Sequence, residues 1–116
     1  MKQALLSALP AAAVSHSPTI KKRVLLSSGD LPHLTNFAQA YFALGQVVEA
    51  HAHTYLCEVF FVEAGNGIIR INGADYTLQV GTCIAVEPRE HEVLDTGSTE
   101  LVLTYFGLAI ERSRAR

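Results

Sequence analysis

The sequence predicts an all-β domain, a small closed barrel or jelly-roll sandwich of about eight short strands. Three observations carry that expectation. From about Val24 onward, β-branched and aromatic runs alternate with glycine-bearing turns, which is how short strands are written in sequence. Helical periodicity of apolar residues is absent after Val14. The pair Asn72-Gly73, flanked by apolar alternation, specifies a two-residue type I′ hairpin turn whose twist matches that of its strands.

Composition bounds the rest. With 116 residues the chain makes one domain, leaving no room for a second catalytic one. The hydrophobic fraction is 49% and the charged fraction 17%, against about 25% in ordinary globular proteins, so a sizeable core is expected rather than disorder. Nine Lys and Arg against eleven Asp and Glu give a formal charge of −2, which supplies no broad attraction to nucleic acid or an anionic membrane. No apolar run approaches the roughly 18 residues needed to span a bilayer. Cys57 and Cys83 form no paired metal-binding spacing and read as two reduced core thiols.

At the N-terminus, Lys2 precedes an apolar stretch from Ala4 to Leu9, then Pro10 and three alanines, a weak likeness to a secretory signal. The stretch is short and its positive region is a single Lys. Residues 1–23 are therefore read as a short helical or irregular arm, and the protein as cytoplasmic.

The barrel domain is expected over 24–110. Its strands are Leu34 to Phe42, Gln46 to His53, Tyr55 to Val62, the Asn72-Gly73 hairpin, Thr82 to Val86, His91 to Asp95 and Glu100 to Phe106. Pro32 and Pro88 fall between strands, where a missing amide donor does least harm. Counting outward from the turn pairs Ile71 with Ala74, Arg70 with Asp75 and Ile69 with Tyr76. One hairpin face is then Ile69, Ile71, Ala74, Tyr76 and Leu78; the wetter face is Arg70, Asp75, Thr77 and Gln79. Residues 111–116 form a solvated basic tail.

Three of the five histidines can converge on this scaffold. His51 and His53 are two apart, so an extended strand sends both to one face, roughly 7 Å apart along the backbone. Glu58 follows His53 by an odd separation and would fall on the other face of an unbroken strand. A turn at Thr54-Tyr55-Leu56 removes that conflict by letting the next strand return antiparallel, with Glu58, Phe60 and Val62 inward beside the histidines. His91 would arrive from a later strand across the barrel. Three imidazoles and one carboxylate suit one divalent transition ion (Fe, Mn, Ni, Cu, Co or Zn) and leave positions for water or substrate. Any single histidine in a strand is more often a plain structural residue; the whole spacing argues otherwise.

Gly45, His51, His53, Glu58 and Gly65, separated by five, one, four and six residues, match the first signature motif of the cupin family without a departure. Five specified residue types at fixed offsets arise by chance in well under roughly 1 in 1,000 such chains. Gly81, Pro88, His91 and Asp95 resemble the second motif, but the motif's second Gly is missing, the spacing from Gly81 to His91 is one residue short, and Asp95 stands in place of Asn. One residue is about 3.3 Å of strand, so the reach of His91 is the point at issue. The resemblance covers about Leu34 to Phe106. It implies a double-stranded β-helix barrel with a metal in its mouth held by His51, His53, Glu58 and His91, and a homodimer.

Neighbouring residues have plainer readings. Glu49 shares parity with His51 and suits a strand entrance in solvent. Asp95 could accept the second ring N–H of a ligand histidine or simply make a turn. Glu63, Glu87, Glu90 and Glu92 read as solvated loop charges, and His16 and His33 as structural or exposed. An open metal position in a barrel lined by Phe60, Val62, Leu101, Leu103 or Tyr105 would bind a small organic molecule. Two functions follow: a metal-dependent enzyme, with oxygenase chemistry foremost and isomerase or decarboxylase chemistry behind it, or a non-catalytic module that binds a metal and a metabolite.

Overall fold

The β-branched and aromatic runs form ten strands among the described residues of the computed structural model. These are β1 (Ala12–Val14), β2 (Ser17–Ser27), β3 (Leu34–Phe42), β4 (His51–Ala52), β5 (Leu56–Ala64), β6 (Gly67–Ile71), β7 (Ala74–Leu78), β8 (Cys83–Val86), β9 (Glu90–Leu94) and β10 (Leu101–Ala109). The structure describes residues 1–14, 17–47, 51–52, 55–88, 90–94 and 99–110; for 17–19, 51–52 and 90–94 it describes the backbone. All pairings are antiparallel. One sheet has six strands in the order β1-β2-β3-β10-β5-β8, the other four in the order β4-β9-β6-β7. This is the jelly-roll arrangement that the alternation predicts.

The hairpin register is as counted from the sequence, with Ile71 opposite Ala74, Arg70 opposite Asp75 and Ile69 opposite Tyr76. Asn72 and Gly73 take φ of 51° and 83°, the left-handed pair that a type I′ turn demands. On its wetter face Arg70 Nε donates to Asp75 Oδ1 at 2.8 Å. The apolar face is less uniform than expected. Ile69 and Leu78 are buried, but Tyr76 is 49% exposed, because β7 is the outer strand of its sheet and nothing among the described residues packs over its middle.

The N-terminal arm is the main correction to the predicted elements. Residues expected to be helical or irregular contain a single 3-10 turn (Leu6–Ala8) followed by β1 and β2, and β2 runs through the expected boundary at Val24 into the large sheet. The physical reason is Ile20, fully buried in the core: its side chain gains more from the sandwich than local propensity gains from a helix. Of the expected strand from Gln46 to His53, the described element is β4 at His51–Ala52; residues 48–50 and 53 lie outside the described residues.

Within the large sheet the inward row is Ala38, Ala40 and Phe42 on β3, Leu101 and Leu103 on β10, and Phe60 and Val62 on β5, all buried. Outward residues form a chain of hydrogen bonds. Arg23 Nη1 donates to Tyr41 Oη at 3.1 Å, Tyr41 Oη to Gln39 Oε1 at 2.5 Å, Gln39 Nε2 to Thr104 Oγ1 at 3.1 Å, and Thr104 Oγ1 to Glu63 Oε2 at 2.8 Å. Glu63 is thus a strand residue with a partner rather than a loop charge, and Glu90 and Glu92 likewise lie on a strand. Cys57 is half-buried and Cys83 exposed, so the reading of two core thiols fails for Cys83, which sits on the outward face of the edge strand β8.

Candidate functional site

His51 and His91 are direct register partners on β4 and β9. Opposed positions of an antiparallel pair share one face of the sheet, with Cα atoms roughly 4.5–5.5 Å apart. The same row continues through Ile71 to Ala74. Ile71 packs against the core, as does Ile69 two residues before it, so the row containing both histidines lies on the inward side of the small sheet. The shortened spacing before His91 leaves it in register with His51. His53 lies outside the described residues, as do Glu49, Asp95 and His16.

Glu58 comes from the opposite sheet, on β5, where it is paired with Gly107 of β10 and Val86 of β8. The arrangement inverts the expected one. A turn was to bring Glu58 back beside the histidines, with His91 arriving from across the barrel; instead His91 lies beside His51, and Glu58 belongs to the facing sheet. The bend at Tyr55 carries the chain from one sheet to the other, and Tyr55 O is held there by Ile110 N at 2.8 Å.

Packing loosens toward Glu58. Along β10 the inward residues Leu101 and Leu103 are fully buried and Tyr105 half-buried; along β5 Val62 and Phe60 are buried and Glu58 half-buried. Leu101, Leu103 and Val62, expected to line a cavity, are therefore packed core, whereas Phe60 and Tyr105 border the polar end. Their rings lie 5.7 Å apart at the centroids, tilted by 30°. Glu58 Oε1 is shielded from solvent. Burial lifts the Glu58 carboxyl from an ordinary 4.5 to about 7, against the opposing pull of the Lys22 charge. Burial also pushes the Tyr105 hydroxyl up to about 12; a hydrogen bond with the Asn36 side chain works the other way, and the Glu58 charge adds to the rise. Lys22 and Asn36 were not singled out from the sequence. Their signal was available in strand parity, since a Lys between Ile20 and Val24 at alternate positions breaks an otherwise apolar row.

Among the described residues no group of three or more His, Cys, Asp and Glu side chains could hold a metal, a description that does not extend to His53 or to the imidazoles of His51 and His91. The donor chemistry nonetheless fits a divalent ion: a shielded carboxylate oxygen on one sheet and two opposed histidine positions on the inward side of the other. His33 is exposed in a turn, as expected. No helix among the described residues is long and apolar enough to cross a membrane.

The cupin-domain family model matches residues 40–108, more than half of the chain, from the end of β3 through most of β10. The chain belongs to the cupin family. Gly65 shows why one motif position is glycine in this cupin: its φ is 80°, and a Cβ there would run into the backbone carbonyl of Glu100. Among solved structures, the cupin is similar to a Thermotoga maritima protein described as a predicted oxalate decarboxylase, with a TM-score of 0.85 at 22% identity, covering 95% of this chain and 100% of that one. It is also similar to the polyketide cyclase RemF of Streptomyces resistomycificus, with a TM-score of 0.77 at 15% identity over 96% and 80% of the two chains. A sugar phosphate isomerase from the cupin superfamily of Silicibacter pomeroyi gives 0.75 at 14% over 90% and 73%. Identities this low establish the fold, and three neighbours with three activities leave the reaction open. No curated protein matches the sequence.

Proposed function

We propose that this cupin uses one divalent transition ion, held by His51, His53, Glu58 and His91, to act on a small organic molecule, with oxygenase-type chemistry the first reading. The observation that carries it is the register pairing of His51 with His91 on the inward side of one sheet, with half-buried Glu58 on the inward side of the other. The ion would supply Lewis-acid polarisation of a substrate oxygen and, if redox-active, electron transfer. Glu58 serves as a carboxylate donor, so its proton must leave before it can bind a cation. Tyr105 keeps its proton at neutral pH and offers a hydroxyl beside the Phe60 ring, where it can orient a polar ligand atom. Buried Val62 and Leu103 close the inner end against water.

A second reading, a binding module that holds a metal and a metabolite without turnover, is favoured by the scarcity of a general base. Among the described residues Glu63, Asp75, Glu87 and Glu100 are all exposed, and Glu58 is occupied as a ligand. Metal analysis of the purified protein, followed by nitric oxide titration of its iron form, separates the two. Nitric oxide uptake at an open position favours the oxygenase, and a coordinatively full ion favours the module. Protein that carries no metal and takes up none of the six candidate ions contradicts both readings. We also propose a homodimer, supported by the partly exposed apolar outer face that carries Phe61 and Phe106, and tested by light scattering across concentrations.

A further inference from the structure

Lys22 occupies an inward position of the large sheet. Its register partner on β3 is Ala40, which is buried, and its neighbours by strand parity are Ile20, fully buried, and Val24, half-buried. The adjacent residue Arg23 confirms the alternation independently, because its guanidinium is bonded to Tyr41 Oη on the outward face. Lys22 is itself half-buried. A cation at the wall of an apolar sandwich is costly unless a counter-charge or a ligand meets it.

The rows beside it carry small side chains. Lys22 and Val24 are paired with Ala40 and Ala38 on β3, and those alanines are paired with Leu103 and Tyr105 on β10. Two of the smallest side chains therefore stand between Lys22 and the Tyr105 hydroxyl, over which a flexible lysine stem can lie with its charge toward the polar end. That end also holds Asn36, which shares a row with Gly107 and Glu58. The Lys22 charge is felt at Glu58, which places the ammonium toward the polar end of the inward face. If Glu58 is committed to a metal, as the function proposed above has it, Lys22 is the charge left for the ligand.

We infer that Lys22, with the Asn36 amide and the Tyr105 hydroxyl at the polar end of the same inward face, forms an anion-recognition wall, and that the small molecule accepted by this cupin is an organic acid. The Lys22 ammonium meets its carboxylate. The apolar remainder packs toward the half-buried Tyr105 ring. The inference rests on the metal-centre reading only for the role given to Glu58; the location of Lys22 stands without it.

The test compares acids with neutral isosteres on the full chain. Acetate, butyrate and benzoate are titrated against acetamide, butyramide and benzamide by calorimetry, in metal-loaded and metal-stripped protein, with metal content measured in every sample. At least one acid should bind at least about tenfold more tightly than its amide in both forms, the size expected for a hydrogen bond to a charged group. Lys22→Met should erase that preference with metal content unchanged, and Lys22→Arg should retain it. In the unaltered protein, the Lys22 side-chain NMR resonances should shift with benzoate and stay fixed with benzamide, which keeps the test open should Lys22→Met fail to fold. Equal binding of acids and amides, no saturable binding of any acid, a preference that survives Lys22→Met, or loss of metal with that substitution would each overturn the inference. A wild-type protein that takes up no metal but shows a Lys22-dependent acid preference would sink the metal centre and leave Lys22 standing.

Discussion

His51 and His91, forty residues apart in the chain, sit directly opposite one another across the β4–β9 pair, on the row that Ile71 anchors to the core. The two motifs are thereby joined through backbone hydrogen bonds. A substitution at either histidine should leave that pairing standing and act on the metal alone. His51→Ala, His53→Ala and His91→Ala should each lower metal affinity by more than the about 10–100-fold that loss of a supporting residue costs, with an unchanged far-ultraviolet spectrum. Undiminished metal content in the His51 or His53 variant would show the ligand assignment to be wrong.

The raised proton affinity of Glu58 fixes the sign of a pH effect. The folded carboxyl titrates at about 7 and the ordinary one at 4.5, so between those values the folded state binds more protons than the unfolded state. In metal-free protein the contribution of Glu58 is fully present below pH 4.5 and is lost as pH rises through 7, by at most about 3 kcal/mol before solvent screening. Glu58→Gln should flatten that slope in urea melts recorded across the range. Metal binding has the opposite sign: affinity should climb as pH rises through 7, because the ion needs the carboxylate. A metal-free protein that gains stability from pH 5 to 7 through Glu58 contradicts this account.

Leu103 is almost fully buried and pairs with Ala40 on one side and Val62 on the other, at the centre of the large sheet. Leu103→Ala should destabilise the protein by about 2–5 kcal/mol, seen as a lower denaturant midpoint with an unchanged slope. A loss below 1 kcal/mol, on the order of a surface change, would mean that the interior is not packed as described.

Gly65 and Gly73 separate two costs of adding a methyl group. Both have left-handed φ, 80° and 83°, but a Cβ at Gly73 meets open space whereas one at Gly65 meets the Glu100 carbonyl. Gly73→Ala should cost about 1–2 kcal/mol, the conformational penalty alone. Gly65→Ala should cost distinctly more by thermal denaturation, since the chain at Glu100 must also shift. Equal costs would remove the close approach from the explanation.

Much of this protein was legible from local rules. The Asn72-Gly73 register, the strand from Leu34 to Phe42 and the inward parity of Phe60 and Val62 all follow from turn chemistry and alternation, which act over a few residues. The cupin spacing was legible too, because its glycines and ligand candidates stand at fixed offsets. The arm was misread for the opposite reason. Within 1–23 the one local sign of a sheet is the alternation around Lys22; Ile20 becomes a strand residue because β3 offers it a core.

The sequence by itself determined strand parity, the hairpin and which four residues stand at ligand spacing, since each depends on bond geometry between near neighbours. Only the tertiary structure decided that His91 lies beside His51, that Glu58 belongs to the facing sheet and that Lys22 faces inward opposite Ala40. Sheet order depends on which distant strands bury the most apolar surface together, and that balance is not written in any one segment of the chain.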